Sequence, residues 1–175
     1  VTGHGGPFPA SNKQREFFLG NAGTAIRPLT AALALTPGAY VIDGDEQMRE
    51  RPIADLVDAL RTLGTDITYT GNEGVPPMLC RSGGLSGGKL HMPGNISSQF
   101  LTSMLLTLPL AVGDSEIEVI GEQVSKPYLA ITLATMRAFG VTADHEAYQR
   151  FTIPGGQTYV SPGSFLVEGY ASSAS

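Results

Sequence analysis

The sequence predicts an α/β protein built on a repeated βαβαββ unit, because helix-like and strand-like runs alternate and do so twice over at one spacing. A glycine-led turn of small residues occurs three times, as Gly20-Asn21-Ala22-Gly23-Thr24-Ala25, Gly94-Asn95-Ile96-Ser97-Ser98-Gln99 and Gly169-Tyr170-Ala171-Ser172-Ser173-Ala174, starting 74 and 75 residues apart. A basic residue followed by proline recurs as Arg51-Pro52 and Lys126-Pro127, each ahead of a helical run closed by a glycine, Gly64 or Gly140. Glycine pairs mark the same register at Gly5-Gly6, Gly83-Gly84 and Gly155-Gly156. The period is longer than the roughly 20–50 residues of solenoid and propeller repeats, so duplicated subdomains are expected. The divisions that follow are a tail of a preceding unit at 1–14, one unit at 15–87, a second at 88–163, and a crossover with the start of a next unit at 164–175.

Taken in order, strands are expected at 17–19, 40–42, 66–69, 78–81, 90–92, 117–120, 151–153 and 164–167. The first helix should run over 24–35, with Ile26, Leu29 and Leu33 on one stripe. Pro28 would then lie in the opening turn, where its missing N–H costs little, and Arg27 would sit in that turn near the glycine-rich loop. Ile53, Leu56, Val57, Leu60 and Leu63 form the stripe of the second helix, and Leu129, Leu133 and Met136 repeat it in the next unit. Pro52 and Pro127 suit a first helical position, and Gly64 and Gly140 suit the left-handed residue after a helix end. The run 100–112 reads as a well-buried helix; with Thr102, Ser103, Thr107 and Pro109 inside it, it falls short of the ~20 apolar residues of a membrane span.

With 175 residues, 42% of them hydrophobic, the chain can bury a sizeable core. Eleven basic against sixteen acidic residues, a net charge of −5 and sparse aromatics argue against a nucleic-acid surface. The single Cys80 excludes an internal disulfide, suits a reducing, cytoplasmic setting, and reads as a half-buried strand thiol. His4, His91 and His145 have no metal-ligand spacing, and the sequence holds no HExxH, CxxC, GxSxG or Walker motif. Asp43 and Asp45 around Gly44 read as a turn after a strand.

Small-residue turns that open helices expose free N–H groups at the positive end of the helix dipole, where anions bind. In the first turn Gly23 permits close ligand approach and Thr24 can cap or donate; an ordinary helix cap explains the same residues. Arg51 stands before a helix start, where the dipole disfavours a cation, so an anionic ligand explains it better than helix stability does. Arg49 and Glu50 are as well explained as a solvated pair. Ser97, Ser98 and Gln99 at the second turn offer two hydroxyls and an amide, more than a single serine cap requires. Ser125 and Tyr128 flank Lys126-Pro127 at the repeat position of Arg51-Pro52; phosphate donors and a core tyrosine with a surface lysine are both open readings.

The run Leu19-Gly20-Asn21-Ala22-Gly23-Thr24-Ala25-Ile26-Arg27-Pro28-Leu29 resembles the signature loop of the 5-enolpyruvylshikimate-3-phosphate (EPSP) synthase family. Arg49-Glu50-Arg51-Pro52-Ile53, Ser97-Ser98-Gln99-Phe100-Leu101-Thr102, Ser125-Lys126-Pro127-Tyr128 and Val167-Glu168-Gly169 extend the resemblance, in family order, over essentially the whole chain. It implies the enolpyruvyl transferase fold, two similar domains of three βαβαββ units each. It also implies transfer of the enolpyruvyl group of phosphoenolpyruvate to the 5-hydroxyl of shikimate 3-phosphate, without metal or organic cofactor. Carried over residue by residue, Ser97, Ser98 and Ser125 would hold the phosphate of shikimate 3-phosphate, with Gln99 and Tyr128 on the shikimate side. Arg51, Gly23 and Gln99 would form part of the phosphoenolpyruvate site, where glyphosate competes. Asn21, Thr24 and Arg27 would support that loop. Tyr170 replaces the family's aspartate in the third turn. The second domain, expected to carry the acid–base pair, is the partner this chain would need; no catalytic proton-transfer residue is assigned within it, and no nucleic-acid or membrane partner is expected. A non-catalytic module for phosphate ligands, or an inactive truncated domain, is the competing reading.

Overall fold

The computed structural model describes residues 2–95, 97–123 and 126–167. Strand β1 (Arg15–Phe18) leads through helix α1 (Gly23–Ala34) to β2 (Gly38–Asp43), and a short 3-10 turn (Met48–Glu50) leads to α2 (Ala54–Thr62), β3 (Asp66–Tyr69) and β4 (Met78–Ser82). The order then repeats as β5 (Gly88–Pro93), α3 (Ser98–Thr107), β6 (Ser115–Ile120), α4 (Lys126–Ala138), β7 (Asp144–Glu146) and β8 (Arg150–Ile153). Each set forms its own four-stranded sheet, in the orders β1-β2-β4-β3 and β5-β6-β8-β7. In each, the first two strands pair in parallel and the others antiparallel. A parallel pair needs a crossover, and α1 and α3 supply it. The chain is thus a repeated βαβαββ protein of the α/β class, as its sequence predicts.

Strand alternation places one face of each sheet inward. In β6, Ser115, Ile117 and Val119 are buried, while Glu116 and Glu118 face outward. Outside, Glu116 meets Lys89 at 3.4 Å and Arg150 at 2.8 Å. Buried side chains from both units form one continuous core, and α1 packs against α3 at its centre. That packing brings the two helix beginnings to the same region of the molecule.

Local signals shifted in several places. Helix α1 starts at Gly23, so Pro28 is its sixth residue and lies in the second turn, with Arg27 just before it. Pro28 cannot donate to the Thr24 carbonyl, one turn earlier. Helix α2 starts at Ala54 after Ile53, whose N–H donates to the Gly74 carbonyl at 2.9 Å, so Pro52 precedes the helix; Pro127 is the second residue of α4. Gly64 and Gly140 do adopt φ of +94° and +78° past their helix ends. The expected strand at 164–167 is absent: those residues are exposed and unpaired among the described residues, with the Phe165 ring 5.2 Å from that of Phe139. Conversely, β7 was not expected, because all three of its residues are polar and exposed. Helix α3 ends at Thr107 and passes through a 3-10 turn over Leu108–Leu110, leaving Val112 87% exposed. Cys80 is fully buried between β2 and β3, and burial pushes its thiol up to about 12. No described helix is long and apolar enough to cross a membrane.

Candidate functional site

The glycine-rich turn 19–23 leaves β1 and enters α1 with no side-chain cap; within it the Ala22 and Gly23 N–H groups donate to the Leu19 and Asn21 carbonyls at 3.1 and 3.0 Å. Gly23 is the first residue of α1 and is buried. A Cβ there would stand 2.8 Å from Arg51 Nη1, so the absence of a side chain is what lets that guanidinium lie against the turn. Arg51 itself is exposed and ends the 3-10 turn in an extended conformation. A second guanidinium, Arg27, comes from α1. Its Nη2 donates to the Pro52 carbonyl at 3.3 Å, and its carbon lies 4.7 Å from the centre of the Phe100 ring.

Across the boundary between the two units, Arg27 Nη1 donates to Gln99 Oε1. Gln99 is the second residue of α3, so this charge-assisted bond ties the first unit's arginine to the second unit's helix beginning. Partial burial, and then repulsion from Arg51, hold the Arg27 guanidinium below its ordinary value. Two cations at such close quarters repel, and an anion between them would relieve that repulsion.

Ser97 caps α3: its hydroxyl accepts from the Gln99 N–H at 3.4 Å. Beside it opens a cleft of about 710 Å³ lined by Thr24 and Pro28 of α1, Ser97, Ser98, Gln99 and Thr102 of α3, and Tyr128, Ile131 and Thr132 of α4. Tyr128 is 56% exposed at its edge. Thr102 and Thr132 meet hydroxyl to hydroxyl at 3.0 Å, and Thr132 also donates to the Tyr128 carbonyl at 2.9 Å. This pair fixes the distance between α3 and α4 where they wall the cleft.

The structure therefore brings Ser97, Ser98, Gln99, Tyr128 and Thr24 to one opening, and joins Gly23, Arg51 and Arg27 to it through Gln99. Asn21 does not line the cleft; its side-chain amide donates to Gln47 Oε1. Ser125 and Tyr170 lie outside the described residues. Arg49, taken as equally well solvated, is instead paired with Asp43, through Nε at 3.0 Å and Nη2 at 2.6 Å. Thr102, Ile131 and Thr132 were not singled out from sequence, although 102 and 132 stand one helical turn after Ser98 and Tyr128 and so share their faces. Among the described residues no group of three or more His, Cys, Asp or Glu side chains could hold a metal ion.

The cleft has polar donors at one end, apolar walls from Pro28 and Ile131, and the Arg27 guanidinium on Gln99, with Arg51 beside Gly23. Such an arrangement can bind two anionic groups side by side and orient them. Among the described residues that line the cleft there is no carboxylate or imidazole for proton transfer.

Comparison with known proteins agrees with this fold. The family model described as EPSP synthase (3-phosphoshikimate 1-carboxyvinyltransferase) matches residues 1–175. The chain is 55% identical over 178 residues to a 3-phosphoshikimate 1-carboxyvinyltransferase of Haemophilus influenzae (strain PittGG), and 56% identical over 175 residues to one of Vibrio vulnificus (strain YJ016). Both alignments take in 100% of this chain but 41% of the relative's length. A solved EPSP synthase from Acinetobacter baumannii superposes with a TM-score of 0.70 at 28% identity, over 82% of this chain and 31% of that one.

Proposed function

Because the chain belongs to the EPSP synthase family, we propose that it is part of a transferase that moves the enolpyruvyl group of phosphoenolpyruvate to the 5-hydroxyl of shikimate 3-phosphate, releasing inorganic phosphate. In this reading the chain is divided as 1–14, 15–87, 88–163 and 164–175, with 15–87 and 88–163 as its two units. Ser97, Ser98 and Ser125 hold the phosphate of shikimate 3-phosphate, and Gln99 and Tyr128 contact its ring side. Gly23, Arg51 and Gln99 form part of the phosphoenolpyruvate site, with Asn21, Thr24 and Arg27 in support. The chain spans 41% of the length of its curated relatives; in this reading the acid–base groups belong to a second domain of the same protein. What this part contributes is orientation of two anions and electrostatic stabilisation of the phosphate that departs.

The observation that carries the reading is the Arg27–Gln99 bond. It makes one site of a hydroxyl-lined helix beginning in the second unit and a guanidinium-lined one in the first. Two neutral hydroxyls suit a phosphate that stays bound and unreacted, whereas the guanidiniums suit the phosphate whose charge develops.

The test is kinetic, in the complete enzyme. Arg51→Gln should raise the KM for phosphoenolpyruvate, and Ser98→Ala that for shikimate 3-phosphate, each by about tenfold or more. Unchanged KM values for both would overturn the assignment. The chain by itself should turn over substrate negligibly, and sustained product formation by it alone would contradict the division of labour.

A further inference from the structure

Beyond the residues that meet the substrates, the glycine-rich turn is held by a second strip of chain that follows it rung by rung. The Leu19 N–H donates to the Asp43 carbonyl at 2.9 Å, and the Asp45 N–H to the Gly20 carbonyl at 3.1 Å. The Asn21 amide then bonds Gln47, and Gly23 abuts Arg51. Residues 19, 20, 21 and 23 thus face 43, 45, 47 and 51. The register is set by the parallel pairing of β1 with β2, in which Phe18 stands opposite Asp43. Gly44 sits so close that a Cβ there would lie 2.4 Å from the Gly20 carbonyl oxygen.

One side chain locks this strip. Asp43 accepts from its neighbour's Gly44 N–H at 2.8 Å and from both the Nε and Nη2 of Arg49. Arg49 lies in the 3-10 turn, whose start is fixed by the Met48 N–H donating to Asp45 Oδ1 at 2.9 Å. The Arg51 N–H closes that turn on the Met48 carbonyl at 3.0 Å. A forked, two-point pair restrains rotation as well as distance, so it fixes the course of the chain two residues before Arg51.

We propose that Asp43 and Arg49 are positioning residues: their forked pair sets the 3-10 turn against the glycine-rich loop and thereby places the Arg51 guanidinium beside Gly23. Neither touches the cleft, and both act through Arg51. This deepens the proposed function and rests on its reading of Arg51 as a phosphoenolpyruvate group.

The test compares Asp43→Asn, Arg49→Gln, their double variant and Arg51→Gln in the complete enzyme, with thermal unfolding measured alongside. Asp43→Asn and Arg49→Gln should each raise the KM for phosphoenolpyruvate by about threefold to tenfold and leave that for shikimate 3-phosphate unchanged. The double variant should be no worse than the worse single one, because both remove the same pair. A general loss of folded enzyme would lower kcat and leave both KM values alone, and that result overturns the proposal. If Arg51→Gln raises the phosphoenolpyruvate KM while neither pair variant does, positioning fails and the site reading stands. If Arg51→Gln leaves it unchanged, the site reading fails, and this proposal with it.

Discussion

The two units share strand order and helix placement but solve two local problems in opposite ways. In the first, the glycine after β1, Gly20, needs a left-handed backbone (φ +53°) and has open space around it, whereas the glycine after β2, Gly44, has no room for a side chain. In the second, the glycine after β5, Gly94, is the crowded one, with a Cβ placed 2.7 Å from the Glu122 carbonyl oxygen. The glycine after β6, Gly121, has φ +83° and open space. The core shows the same exchange. Tyr40 of β2 stands opposite the small Cys80 of β4, and at the matching positions Ile117 of β6 stands opposite the large Phe151 of β8. What is kept between the units is the close approach of two turns and the filled volume between two strands, not the residue that provides either.

The comparison would break first at the large aromatic. Phe151→Ala should cost about 3–5 kcal/mol through the cavity it leaves, whereas Cys80→Ala, at the matching position, should cost about 1 kcal/mol. Chemical denaturation of the two variants measures the difference, and equal losses would mean that the volumes are not exchanged as described. Next come the crowded glycines: Gly44→Ala and Gly94→Ala should each destabilise by about 2–3 kcal/mol, because the obstacle is backbone and cannot rotate away. Gly20→Ala and Gly121→Ala should lose only about 1 kcal/mol, the cost of a left-handed alanine. Were all four alike, close approach would not distinguish the turns.

The smallest expected effect is electrostatic. Hydrogen bonding to Arg49 holds the Asp43 carboxyl below its ordinary value, and Arg150 does the same for Glu116 in the second unit. A carboxyl held low in the folded chain stabilises it above the unfolded value of about 4, and that contribution is lost as pH falls through the folded value. Asp43→Asn and Glu116→Gln should therefore lower Tm slightly at pH 7, and by less as pH falls below about 4. Both pairs stay partly open to solvent, the arginines being 48% exposed, so screening should keep the shift small. A Tm difference that grows on acidification would have the wrong sign.

Much of the fold could be read from residue order because its punctuation is repeated: Gly64 and Gly140 end helices where their sequence places them. Strand β7 could not, since Asp144, His145 and Glu146 have no apolar alternation and take their extended form from pairing with β8. The opposite error at 164–167 has the same origin, a short apolar run, Phe165-Leu166-Val167, with no neighbouring strand among the described residues to pair with. At the candidate site, Arg51 was legible because a cation before a helix asks for an explanation. Arg49 was not, because its partner Asp43 is defined by where β2 ends relative to the 3-10 turn. The Arg27–Gln99 bond joins residues 72 apart and follows only from the packing of α1 on α3.

The central claim is that hydroxyls from one unit and a guanidinium from the other serve a single cleft. A crystal structure of the complete enzyme, with shikimate 3-phosphate bound and inorganic phosphate added, tests it most directly. The account predicts the ligand's phosphate within hydrogen-bond reach of Ser97 and Ser98, and the free phosphate on the Arg51 guanidinium where it lies beside Gly23, with Gln99 between the two anions. Shikimate 3-phosphate bound away from the α3 beginning, or an Arg51 guanidinium turned out of the cleft with both anions in place, would contradict it.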